Sequence, residues 1–88
     1  MSAMISSNSY DVNSDITIPV IASFDSSGHI APIYVRLHGL SLKIHSYWTR
    51  SNFGNCIEYN CKVEDGNLIK PLLLNYYIRE RVWTTPDK

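Results

Sequence analysis

Strict alternation of apolar and polar residues between closely spaced turn signals is the feature that most constrains this chain. Ile33-Tyr34-Val35-Arg36-Leu37, Leu40-Ser41-Leu42-Lys43-Ile44-His45 and Ile57-Glu58-Tyr59-Asn60-Cys61-Lys62-Val63 all keep a period of two. That period puts one set of side chains on a buried face and the other in water, which is the pattern of a strand. The turn signals are Asp25-Ser26-Ser27-Gly28, His38-Gly39, Ser51-Asn52-Phe53-Gly54-Asn55, Asp65-Gly66-Asn67 and, more weakly, Arg79-Glu80-Arg81. The segments between them have the length of strands and leave no room for a helix of useful length. Six strands are predicted, near 16–24, 29–37, 40–48, 55–64, 68–78 and 82–85.

Register follows from the turns. A two-residue turn at His38-Gly39 sets Leu37 opposite Leu40, Val35 opposite Leu42 and Ile33 opposite Ile44. A four-residue turn over Asp25 to Gly28 sets Phe24 opposite His29, Ala22 opposite Ala31 and Val20 opposite Ile33. The hairpin at Asp65-Gly66 pairs Val63 with Leu68 and Tyr59 with Leu72, and leaves Lys70 on the inner parity at a rim. Adjacent hairpins that agree in face describe a meander, because a slip of one residue would turn a whole strand over. Pro19 and Pro32 lie inside strand segments and point to edges or bulges. Leu72-Leu73-Leu74 is apolar on both faces and belongs to a strand covered on both sides, placed centrally or under the leader.

The chain has 88 residues, enough for one small domain. Six short antiparallel strands with no helix to cover them must curl onto themselves. The expected fold is therefore all-β, a six-stranded antiparallel meander curled into a small SH3-like or OB-like barrel. Residues 15–88 form the domain, and residues 1–14, rich in Ser and Asn, form a flexible leader. The expected core is Ile18, Val20, Ala22, Phe24, Ile33, Val35, Leu37, Leu42, Ile44, Trp48, Ile57, Tyr59, Cys61, Val63, Leu72, Leu74 and Trp83.

The motif Phe24-Asp25-x-x-Gly28-x-x-x-Pro32, then six residues to Gly39, resembles a family of short uncharacterised bacterial proteins associated with mobile genetic elements. The similarity spans residues 18 to 84 and includes Tyr76-Tyr77 and Val82-Trp83-Thr84. It implies a small β-barrel fold and no catalytic residue, since the shared positions are turn glycines and core aromatics.

Chemistry has few candidates. His29 faces inward beside Phe24, His38 sits in a turn and His45 faces outward, so the three do not converge on a metal. Glu64 is read as solvated and Asp65 as a turn residue. Cys56 and Cys61, on one strand, lie about 16 Å apart, too far for a disulfide, and are read as reduced thiols on opposite faces. Four glycines form no phosphate-binding loop. No enzyme, cofactor or metal is expected.

Eight basic and eight acidic residues cancel, but unevenly along the chain. Residues 1–35 carry Asp11, Asp15 and Asp25 with no Lys or Arg, while residues 36–88 carry all eight basic side chains and five acids. Outward parity collects Tyr34, Arg36, Lys43, His45, Tyr47 and Lys62, with Glu58 and Glu64 as the acids among them. This face is the predicted binding surface. A non-enzymatic interaction or accessory module is expected, binding a protein partner or self-associating. The alternative is a nucleic-acid-binding barrel that stacks bases on the aromatics and meets phosphates with the cations. The first fifteen residues hold no Lys or Arg and no long apolar run, so a cytoplasmic location without membrane contact is expected.

Overall fold

Seven antiparallel strands build the fold in a computed structural model that describes residues 15–52 and 54–86. The predicted leader, residues 1–14, lies outside the described residues. The strands are β1 (Ile16–Thr17), β2 (Val20–Phe24), β3 (Ile30–Leu37), β4 (Leu40–Asn52), β5 (Cys56–Asp65), β6 (Leu68–Tyr77) and β7 (Val82–Thr85). The sheet runs β1-β7-β6-β5-β4-β3-β2, so every β2-to-β7 neighbour is a chain neighbour, as a meander requires. Among the described residues no helix is long and apolar enough to cross a membrane.

Among the described residues seven strands replace the predicted six because the first one is split. Ile18 and Pro19 separate β1, which pairs with β7 at one end of the sheet, from β2, which pairs with β3 at the other. The Ile18 amide donates to the Trp83 carbonyl at 2.9 Å, and the Arg36 amide donates to the Pro19 carbonyl at 3.0 Å. Pro19 has no amide hydrogen of its own and cannot continue a ladder as donor. The two ends of the curled sheet therefore meet at this dipeptide, giving the barrel-like form that the alternation implied.

The His38-Gly39 hairpin has the predicted register, with Leu37 opposite Leu40, Val35 opposite Leu42 and Tyr34 opposite Lys43. Both turn residues are left-handed, His38 at φ 52° and Gly39 at φ 78°. A two-residue turn that follows the twist of its strands demands this at both positions. Replacing Gly39 by Val is expected to destabilise the domain by about 1–3 kcal/mol, because a β-branched residue resists that conformation. Thermal melting followed by circular dichroism checks it, and an unchanged midpoint would refute the turn assignment.

Two bulges and one shorter turn correct the remaining register. In the β2–β3 hairpin Ile21 faces Tyr34 but Ala22 faces Pro32, so Ile33 is an extra residue. Val20 consequently meets Val35 rather than Ile33, Ala22 meets Pro32 rather than Ala31, and Phe24 meets Ile30 rather than His29. Beyond Tyr34 strand β3 leaves β4, and Tyr59 on β5 donates its hydroxyl to the Ile30 carbonyl at 2.7 Å. The far half of the hairpin thus bends away from the sheet, leaving Phe24 67% and Ile33 38% exposed instead of in the core. In the β5–β6 hairpin Asp65 faces Leu68, so Val63 meets Lys70 and Tyr59 meets Leu74, two residues from the predicted pairing. A shift of two keeps every face. Lys70 does sit at a rim, where Nζ holds the Asp65 carboxylate at 2.8 Å.

The core is the inner face: Ile18, Val35, Leu37, Leu42, Ile44, Tyr59, Cys61, Val63, Leu72, Leu74, Tyr76 and Trp83. Val20, Ala22 and Ile57, expected inside, are half-buried against it. Tyr59, Trp83 and Tyr76 form a run of tilted rings at centroid distances of 5.1 and 4.8 Å. β6 is an interior strand between β7 and β5, with Leu72 and Leu74 buried inward, whereas Leu73 is half-buried on the outer face.

Candidate binding face

The outer face is decided by the second bulge. Ile44 faces Val63 and Ser46 faces Lys62, so His45 is an extra residue in β4. Parity inverts beyond it. Tyr47 falls beside buried Cys61 and puts its ring 5.5 Å from that of Tyr59, at the margin of the inner face. Tyr47 is therefore no part of the predicted outer surface. Trp48, expected in the core, lies opposite Asn60 on the outer face and is 59% exposed.

The other predicted residues do share the outer face. Tyr34 is 41% exposed and directly opposite Lys43, while Arg36 is opposite Ser41. Lys62 lies between Ser46 on β4 and Pro71 on β6. His45 Nδ1 sits 3.2 Å from the Glu64 carboxylate. Arg50 donates through Nε and Nη2 to Glu58 Oε1, at 3.0 and 2.9 Å. Both acids of this face thus have a basic neighbour, while Arg36, Lys43 and Lys62 have no ion pair among the described residues.

Across β4, β5 and β6 lies a groove of about 800 Å³, lined by Trp48, Asn60, Lys62, Pro71, Leu73 and Pro86 among others. Asn60 Nδ2 is shut off from water there and has no hydrogen-bond partner among the described residues. Periodicity could not show this groove, because it depends on the inversion at His45. A trace of it exists in the sequence: apolar positions in β4 run Leu40, Leu42, Ile44 and then shift parity to Tyr47.

Reactive groups are scattered. His29 is exposed rather than inward, with Nδ1 3.1 Å from Asp25 Oδ2. The Asp25 carboxylate also accepts from the His29 and Ser27 amides, and the His29 amide bond is the main cause holding its pKa below the ordinary value. His38 occupies its turn, and among the described residues no three His, Cys, Asp or Glu side chains could hold a metal ion. Cys56 is half-buried outside, Cys61 is buried inside, and both are unbridged. Burial raises both thiols, Cys61 to about 12, the opposite of activation. Asn55 braces the last turn, accepting from the Arg79 amide and donating to Glu80, whose pKa is lowered chiefly by that bond.

Comparison of the chain with protein-family models, with curated proteins and with solved structures gives no match.

Proposed function

We propose that this chain is a non-enzymatic binding module whose outer face takes single-stranded nucleic acid. The observation that carries the reading is the charge arrangement of that face. Arg36, Lys43 and Lys62 stand unpaired on neighbouring strands, whereas Glu58 and Glu64 are each held by a basic side chain. Tyr34 offers an exposed ring directly beside Lys43. Cations that meet phosphates, interleaved with rings on which bases stack, suit a flexible anionic strand. The dispersed histidines and raised thiols support a role without catalysis. The motif from Phe24 to Gly39 supports a place among the short bacterial proteins it resembles, and a cytoplasmic site of action accords with such a ligand.

Fluorescence polarisation with labelled single-stranded DNA and RNA tests this. Binding is expected at low salt, with a log–log salt slope of about −2 for three phosphate contacts. The double variant Arg36→Glu, Lys43→Glu should abolish it while leaving the circular dichroism spectrum unchanged. Absence of wild-type binding at low ionic strength would overturn the reading.

A second reading, a protein partner or self-association, draws on strand β2. It ends the sheet with one neighbour and exposes Ile21 at 64% and Phe24 at 67%. Sedimentation of the full chain alone, and then with Ile21→Lys, tests self-association. A monomer at all concentrations removes that form of it.

A further inference from the structure

We infer that the groove beside Trp48 is a single-nucleotide subsite, in which the indole stacks a base, Asn60 hydrogen-bonds its edge and Lys62 meets the adjoining phosphate. The inference rests on the nucleic-acid reading and names a site within it that the predicted surface did not contain.

Placement comes first. Two outward rows cross the strands side by side, Trp48–Asn60–Leu73 and Ser46–Lys62–Pro71. Outward positions on one strand repeat about every 6.6 Å. The stacking ring and the cation are therefore separated on the scale of one nucleotide, base to phosphate. Pro71, Leu73 and Pro86 supply the apolar far wall of the groove.

Two independent observations point to a ligand of this chemistry. Trp48 is 59% exposed although the chain's other tryptophan, Trp83, is 8% exposed. An indole left in water on a sheet face, next to an unpaired ammonium, is an aromatic platform with a charge at its edge. The second observation is Asn60 Nδ2. A buried donor without an acceptor costs about 1–3 kcal/mol, and such groups in native folds call for an explanation. Base carbonyls and ring nitrogens are acceptors, and Asn60 lines the groove directly opposite Trp48, so a base stacked on the indole offers the amide its missing partner when the Asn60 side chain turns toward it. The unpaired Lys62 makes the occupant anionic, which fits a nucleotide's phosphate.

The test uses the full chain and an oligothymidylate of about twelve nucleotides at low salt, followed by tryptophan emission. Trp83 is buried and serves as the internal reference. Quenching of the exposed component is expected. Trp48→Ala should weaken binding about five- to hundredfold, and Trp48→Phe should recover part of that loss, since a smaller ring still stacks. Asn60→Ala should weaken binding about fivefold or more without changing the salt slope, whereas Lys62→Gln should lower the slope by about 0.7. If the oligonucleotide binds without quenching and Trp48→Ala binds like wild type, the subsite is wrong and the wider face remains. If Trp48→Ala is misfolded by circular dichroism, Trp48→Phe and Asn60→Ala decide: wild-type affinity in both overturns the subsite. If wild type does not bind at all, both readings fall and a protein partner takes their place.

Discussion

Tyr59→Ala is expected to lower the stability of the domain by about 3–5 kcal/mol, a large share of what a domain of this size has. Tyr59 is 2% exposed and stands at the centre of the inner face, between Tyr47 and Trp83. Removing a buried aromatic ring costs about 3–5 kcal/mol. A domain of this size has about 4–13 kcal/mol of total stability. Tyr59 also does more than fill space. Its hydroxyl fixes the Ile30 carbonyl across the fold, so the far half of the β2–β3 hairpin loses its anchor as well. Tyr59→Phe separates the two roles. It keeps the ring and removes the bond, and should cost about 1–3 kcal/mol. Urea denaturation of wild type and both variants measures this. Equal midpoints for Tyr59→Ala and wild type would refute the ring-centred core.

Alkaline conditions should destabilise the protein steeply. Burial raises the Cys61 thiol from 9.0 to about 12 and the Tyr59 phenol from 10.0 to about 12. Both groups are acids kept neutral by folding. Below the unfolded pKa values, both states hold these protons and stability does not depend on them. Above about pH 9 the unfolded chain releases the thiol proton, and above about pH 10 the phenol proton, while the folded chain keeps both. The unfolded state then binds fewer protons, so stability falls with pH. The slope is about 1.4 kcal/mol per pH unit for each such group, until the folded values near 12 are reached. Denaturant midpoints taken at pH 7, 9, 10 and 11 should decline beyond 9. Cys61→Ala, corrected for its cost at pH 7, should show a shallower decline. A flat profile to pH 11 would contradict the burial of both groups.

Strand identity and face were legible because period-two alternation is a direct imprint of a half-buried sheet. Leu37, Leu40 and Leu42 could be paired from His38-Gly39 alone, since a tight turn fixes register locally. The bulges were not legible in the same way. Ile33 and His45 are ordinary strand residues, and what makes each an extra one is the need of β3 and β4 to bend while neighbouring strands close. Once an extra residue enters, every later parity on that strand inverts, which is why Tyr47 and Trp48 exchange faces, whereas Phe24 leaves the core because the far half of its hairpin bends away from β4. Tyr76 was missed as a core residue because Leu72-Leu73-Leu74 obscures the alternation of β6. On the proposed face, Tyr34, Arg36, Lys43 and Lys62 were readable from register, whereas Trp48 and Asn60 needed the fold.

The split first strand also sets the order in which this molecule can assemble. β3 to β6 are joined by short connections, and each pairing closes a small loop, so these hairpins form quickly and locally. The pairing of Ile16 with Thr85 joins nearly opposite ends of the described chain. Its closure entropy is the largest in the fold, and it gains little contact in return because β1 is two residues long. The Ile18–Pro19 seam is therefore the last part to form and the first to open. In its opened state the sheet from β2 to β7 persists with its five hairpins, so the segment from Ile16 to Pro19 acts as a latch on a sheet that is otherwise already made.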